Sequence, residues 1–178
     1  MSSERVSVPF LPVDSAKPNM CIANVEEHVE KHGGEAVLGW AIVPDRMWET
    51  WTHHVVWRAK DGKLFDVTPK YQSTWLGLAV NYEDITFVID QSAKFIGEKP
   101  NRRSLPNRVY QLVDDPRIRE ACSALQRSET YHHAGEYDKS DYWTERAEKL
   151  ANQYLKQRGQ WIVVPKLNRV PAGWRIGG

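Results

Sequence analysis

The sequence predicts an α+β fold from three observations. A short amphipathic helical period follows Pro18, apolar and β-branched runs fill residues 37–89, and two longer helical periods come after Asp115. Residues 1–18 carry Pro9, Pro12 and Pro18 with no sustained period, which reads as an extended lead-in. In the next segment Ile22, Val25 and Val29 recur at helical spacing, with Asn19 placed as an N-cap and Gly33 as the stop. Lys31 and His32 in its last turn suit the negative end of the helix dipole. Residues 37–43 form a buried-strand pattern closed by Pro44-Asp45. Residues 52–58 and 63–68 flank Asp61-Gly62, a hairpin signal, and 84–89 is a further strand.

A polar loop is expected at 99–107. Asp115-Pro116 then supplies an N-cap and first-turn proline to a helix whose Ile118, Ala121, Cys122 and Leu125 share one face. Ser140 is placed to cap a second helix, with Trp143, Ala147, Leu150, Ala151 and Tyr154 on one side and an end near Gly159. A closing strand is expected at 161–164. No internal repeat interrupts this order. The whole reads as one α+β domain over residues 1–178, with a core at 18–90 and a helical part at 114–160.

The 178 residues carry 24 Lys+Arg against 23 Asp+Glu, a formal charge of +1. That balance removes the electrostatic steering that nucleic acid or an anionic membrane requires. No apolar run reaches about 18 residues, and Met1-Ser2-Ser3-Glu4-Arg5 lacks the basic-then-apolar pattern of a secretory leader. A cytoplasmic location is the expectation. Cys21 and Cys122 are too few for a disulfide framework. The chain has eight tryptophans, and five of them (Trp40, Trp48, Trp51, Trp57, Trp75) fall in one stretch.

Cys21 stands in the first turn of its helix, where unpaired backbone N–H groups and the positive dipole end favour thiolate. Thiolate is the nucleophilic form. A free cysteine is also commonly a small buried apolar side chain. A nucleophile needs a base, and the base an orienting acceptor. The hairpin offers both, since His53, His54 and Asp66 lie on its two arms. A two-residue turn makes Lys60 face Lys63 and puts Asp66 on the face of His53. A three-residue loop with Gly62 left-handed makes Ala59 face Lys63, and Asp66 then shares its face with His54. Both loops tolerate Asp-Gly, so periodicity leaves the two histidines open.

The order Cys21, helix, Gly33-Gly34, a strand with Gly39-Trp40, then His54-Val55-Val56-Trp57 and Asp66-Val67-Thr68-Pro69 resembles the transglutaminase-like and papain-like cysteine enzymes. The resemblance covers about residues 18–70. It implies a core in which a cysteine-bearing helix packs on an antiparallel sheet carrying His and Asp, with the C-terminal helices added. It makes Cys21 the nucleophile, His54 the base and Asp66 the orienting acid, and prefers His54 because the apolar pair and Trp57 follow it. The activity implied is acyl transfer or hydrolysis on a peptide or protein amide, as a peptidase, deamidase or transglutaminase-like enzyme, with no cofactor. The oxyanion site would combine the Cys21 N–H with Asn19, Asn24 or the indole N–H of Trp40. Trp48 and Trp51 either wall a groove beside His54 or cap the core. A Trp-lined binding module without catalysis is the alternative.

His28 and His32 stand i, i+4 on one helix face, a metal-compatible spacing. No third ligand adjoins them, so they read as solvated helix histidines, as do His132 and His133, and no metal is expected. Arg102, Arg103 and Arg108 read as a solvated loop cluster, or as a contact for an acidic partner or substrate carboxylate. Gly177-Gly178 reads as an ordinary chain end.

Overall fold

A computed structural model describes residues 4–74, 77–81, 83–99 and 101–160. Trp75, the strand expected at 161–164 and Gly177-Gly178 lie outside those residues. The fold is α+β, an antiparallel sheet of six strands with three helices. Its described residues fall into two compact units, one within Met1–Pro44 and Thr50–Asn107, the other within Asp45–Glu49 and Arg108–Gly178.

In the first unit β1 (Arg5–Val8), β2 (Glu35–Pro44), β3 (Trp48–Arg58), β4 (Leu64–Phe65) and β7 (Ile85–Ile89) run in the order β1-β7-β2-β3-β4. The first residues of β3, Trp48 and Glu49, belong to the second unit. A separate antiparallel ladder joins β5 (Lys70–Thr74) and β6 (Gly77–Asn81). The supposed lead-in thus contains an edge strand, with Val6 opposite Phe87 and Val8 opposite Ile85. Four residues before Pro9 carry too short a period to announce it.

The helix α1 (Cys21–His32) follows, ending where the Gly33 N–H bonds the Val29 carbonyl at 2.8 Å. The Val55-Val56 pair shows why β3 reads as a continuous apolar run: its two faces are both covered. Val56 packs with Val8, Val37, Ala41 and Phe87, whereas Val55 packs with Cys21, Val25 and Val67. On β2, a Cβ added to Gly39 would lie 2.1 Å from the Val88 carbonyl oxygen and 2.6 Å from the Phe87 ring. Gly39→Ala is therefore expected to cost about 1–3 kcal/mol of stability, read from the urea midpoint, because backbone on a paired strand cannot yield.

The hairpin takes the longer loop. The Ala59 N–H donates to Lys63 O and the Gly62 N–H to Ala59 O, both at 2.9 Å, with Gly62 at φ 88°. Trp57 then faces Phe65. The second arm pairs with β3 only through Leu64 and Phe65, not over the whole of 63–68. Asp66 changes partner: its N–H bonds Pro9 O and its carbonyl accepts the Leu11 N–H, each at 2.9 Å. The residues after Phe65 leave the sheet because residues 9–11 compete for their backbone.

In the second unit, β8 (Arg108–Gln111) pairs with β3, and the Leu112 N–H bonds Met47 O at 2.9 Å. The helices α2 (Pro116–His133) and α3 (Tyr137–Gln157) enclose Met47, Trp48, Ile118, Ala121, Leu125, Ala147, Ala151 and Tyr154. The Asp115 carboxylate caps α2 by accepting the Arg117 N–H, with Pro116 in the first turn. Ser140 does not cap α3; Glu136 holds that position and Ser140 is buried within the helix, its carbonyl accepting the Ser128 hydroxyl at 2.9 Å. A small polar residue on each helix meets its partner across the pair, which a capping pattern cannot foretell. Among the described residues no helix is long and apolar enough to cross a membrane.

Candidate active site

The site grows from the entry to α1. Asn19 adopts φ 60°, a left-handed conformation that Asn tolerates, and its N–H bonds Pro69 O at 3.0 Å. It is not the N-cap. Met20 holds that position and makes no side-chain cap, so Cys21 becomes the first helical residue, with no helical carbonyl four residues back to accept its N–H. The Cys21 side chain is 8 % exposed and lies beside the His54 ring and the Val55 backbone, close enough for both to act on its thiol.

The three-residue loop decides between the histidines. Counting back from the Trp57–Phe65 pair sets Asp66 on the face of His54, and His54 Nε2 meets Asp66 Oδ1 at 3.0 Å. Nε2 being taken, Nδ1 is the ring nitrogen left for the thiol. His53 points to the other face, where Nε2–H donates to the Ala93 carbonyl at 2.6 Å and Nδ1 accepts the Leu105 N–H at 3.0 Å. Both its nitrogens are occupied and the Phe95 ring lies 4.4 Å away, so His53 is a structural pin for the segment after β7.

Charge then accumulates in a dry place. Burial disfavours the charged form of each group, yet each partner stabilises the other. Burial raises the Cys21 thiol, but the His54 charge and hydrogen bond, with the Val55 N–H, bring it below the usual 9.0. For His54 burial likewise opposes protonation, but the Asp66 and Cys21 charges and hydrogen bonds raise it from 6.5 to about 9. Burial works against the Asp66 carboxylate too; His54, Lys70 and the Thr68 N–H nonetheless hold it below its ordinary 3.8. Asp66 Oδ1 also accepts the Thr68 N–H at 3.0 Å, and Lys70 Nζ lies 3.2 Å from Oδ2 as an ion pair without hydrogen-bond geometry. Cys122, buried in α2 without such partners, is pushed up to about 11 by burial.

Several candidates are placed elsewhere. Asn24 is no free oxyanion donor: its Oδ1 accepts the Lys17 N–H at 2.9 Å, and its Nδ2 donates to Lys17 O at 2.8 Å and Thr68 Oγ1 at 3.2 Å. The Trp40 indole N–H is committed to Asp90 Oδ2 at 3.0 Å. Trp48 is buried in the core of the second unit and offers no wall to a substrate. Trp51 shares strand parity with His53, not His54, and the Arg5 guanidinium stands 5.9 Å from its ring centre. Among the side-chain donors considered, only Asn19 stays exposed beside Cys21.

His28 is not solvated. It is buried between the His32 and Trp57 rings, each 4.4 Å away, and burial, then the His32 and Lys31 charges, lower its pKa. Among the described residues no group of three or more His, Cys, Asp or Glu side chains is arranged to hold a metal ion. Arg102 is likewise no free loop cation, since it pairs with Glu26 of α1 at 2.5 Å. The sequence marks Thr68 only as part of the Asp66-Val67-Thr68-Pro69 motif and gives no role to Lys70, although Asp-x-Thr is the signature of a turn in which the carboxylate accepts the N–H two residues on.

No protein-family model, curated protein or solved structure matches this chain. The functional reading rests on the site itself.

Proposed function

We propose that this protein is a cysteine-dependent enzyme of acyl transfer or hydrolysis acting on a peptide or protein amide. The observation that carries the reading is the buried run of contacts from the Cys21 thiol through His54 to Asp66, begun at a helix N-terminus. In this reading the Cys21 thiolate adds to the amide carbonyl carbon, and the electron pair of the C=O bond moves to oxygen. The Cys21 N–H faces that developing charge, with Asn19 as the available side-chain donor. His54 delivers its Nδ1 proton to the leaving nitrogen as the C–N bond breaks, leaving a thioester. Water or an amine then attacks, His54 takes its proton, and the thiolate departs. Asp66 holds the Nε2–H tautomer throughout. A reducing, cytoplasmic setting suits the two unpaired thiols.

An activated acyl ester tests this directly. Mass spectrometry is expected to find the acyl group on Cys21 and none on Cys122, and Cys21→Ala to abolish turnover. An ester that acylates Cys122 alone, or turnover that survives Cys21→Ala, would show the reading to be wrong and favour a binding module.

A further inference from the structure

We propose that Asn24 and Thr68 are positioning residues that fix the nucleophile's helix against the acid of the triad, an inference that rests on the function proposed above. Asn24 stands one turn after Cys21 on α1, and its Nδ2 donates to Thr68 Oγ1 at 3.2 Å. The Thr68 N–H in turn donates to Asp66 Oδ1 at 3.0 Å, the same oxygen that meets His54 Nε2 at 3.0 Å. His54 closes the circuit on Cys21. The contacts form a ring: Cys21, one helical turn, Asn24, Thr68, Asp66, His54 and back to the thiol.

Each member of that ring is buried, Asn24 at 6 %, Thr68 at 1 % and Asp66 at 0 % exposure, so water cannot substitute for a lost partner. Two further bonds hold the same geometry. The remaining capacity of the Asn24 amide clamps both backbone groups of Lys17, fixing the approach to α1. The Asn19 N–H reaches Pro69 O at 3.0 Å, so the segment before the helix is also tied to the segment after the acid. A helix packed on a sheet by apolar contacts alone can slide. Hydrogen bonds have direction, and here they fix where the thiol lies relative to the imidazole. Displacement of about an ångström at reacting groups can cost about 100-fold in rate.

Thr68→Val keeps the side-chain shape and removes the acceptor. The test compares Cys21 carboxamidomethylation by iodoacetamide across pH in wild type, Thr68→Val and Thr68→Ser, followed by mass spectrometry, with thermal melting as the folding check. At pH values below the wild-type thiol titration the Thr68→Val rate is expected to fall about tenfold, as a thiol pKa raised by about one unit requires. Thr68→Ser, which keeps the hydroxyl, is expected to restore the profile. Adding Asn24→Ala to Thr68→Val is expected to cost less than the sum of the two single changes, since the Asn24–Thr68 contact is lost in both and only the Asn24–Lys17 bonds remain to be broken. Should Thr68→Val not fold, Thr68→Ala against Thr68→Ser carries the same comparison. A folded Thr68→Val protein with the wild-type profile overturns the brace and leaves the proposed chemistry standing. A wild-type Cys21 with an ordinary profile overturns the chemistry, and the brace with it.

Discussion

Replacing His54 with Gln is expected to return the Cys21 thiol to 9.0 or above and to lower acyl transfer by about 10²–10⁴-fold, the usual contribution of a positioned acid–base group. The sign follows from the opposing influences on the thiol. Burial raises it, and it is held low by the His54 charge and hydrogen bond, assisted by the Val55 N–H. Gln removes the charge and keeps the burial, so the thiol must rise. The same logic sets the pH profile of turnover in the wild type. Under the proposed function, activity is expected to rise through the lowered Cys21 titration and to fall as His54 gives up its proton at about 9. The decisive measurement is kcat/KM against pH for both proteins with an activated ester: His54→Gln is expected to lose the alkaline limb along with the rate. A rate within a few-fold of wild type would remove His54 from the mechanism.

The second large effect is expected from Asp66→Asn. The carboxylate is fully buried, and it serves His54 and the Thr68 N–H through Oδ1 and Lys70 through Oδ2. Without its charge, burial dominates at His54 and takes that ring from about 9 towards or below 6.5, leaving the imidazole neutral beside the thiol. The thiolate then loses its counter-charge, so the variant is expected to fall about 10²–10⁴-fold in kcat with KM little changed. Lys70 is meanwhile left facing an uncharged buried group, and a loss of about 3 kcal/mol in unfolding free energy is expected. Histidine ring shifts against pH, with urea denaturation, check the two consequences separately. A His54 titration that stays near 9 in Asp66→Asn would contradict this account of its origin.

How far the sequence disclosed the site can be judged from particular residues. Cys21 was legible because a cysteine beside a helix start is visible in the 3.6-residue period, although the cap was misplaced by one residue onto Asn19. His54 against His53 was a question of register. Two adjacent histidines on a strand always face opposite ways, and Asp61-Gly62 fits both loop lengths, so only the Ala59–Lys63 pairing could choose. Asn24 and Trp40 looked like free donors because their partners, Lys17, Thr68 and Asp90, lie in other segments and no local pattern connects them. Edge strands β1 and β8 were missed for a different reason. Each spans four residues, too few for alternation to stand out, and each exists through its neighbour in the sheet. The tryptophan excess dissolves into unrelated tasks: Trp48 fills the core of the second unit, Trp40 bonds Asp90 and Trp57 bonds the Gly33 carbonyl.

The central claim is that Cys21 is held as a thiolate by His54. Thiolate absorbs in the ultraviolet where thiol does not, so absorbance against pH in the wild type, less that of Cys21→Ser, isolates this one group. Cys122 stays silent over the relevant range because burial holds it near 11. The account predicts a step below 9.0 that is absent from Cys21→Ser and moves upward in His54→Gln. A difference titration centred at 9.0 or above in the wild type would contradict it.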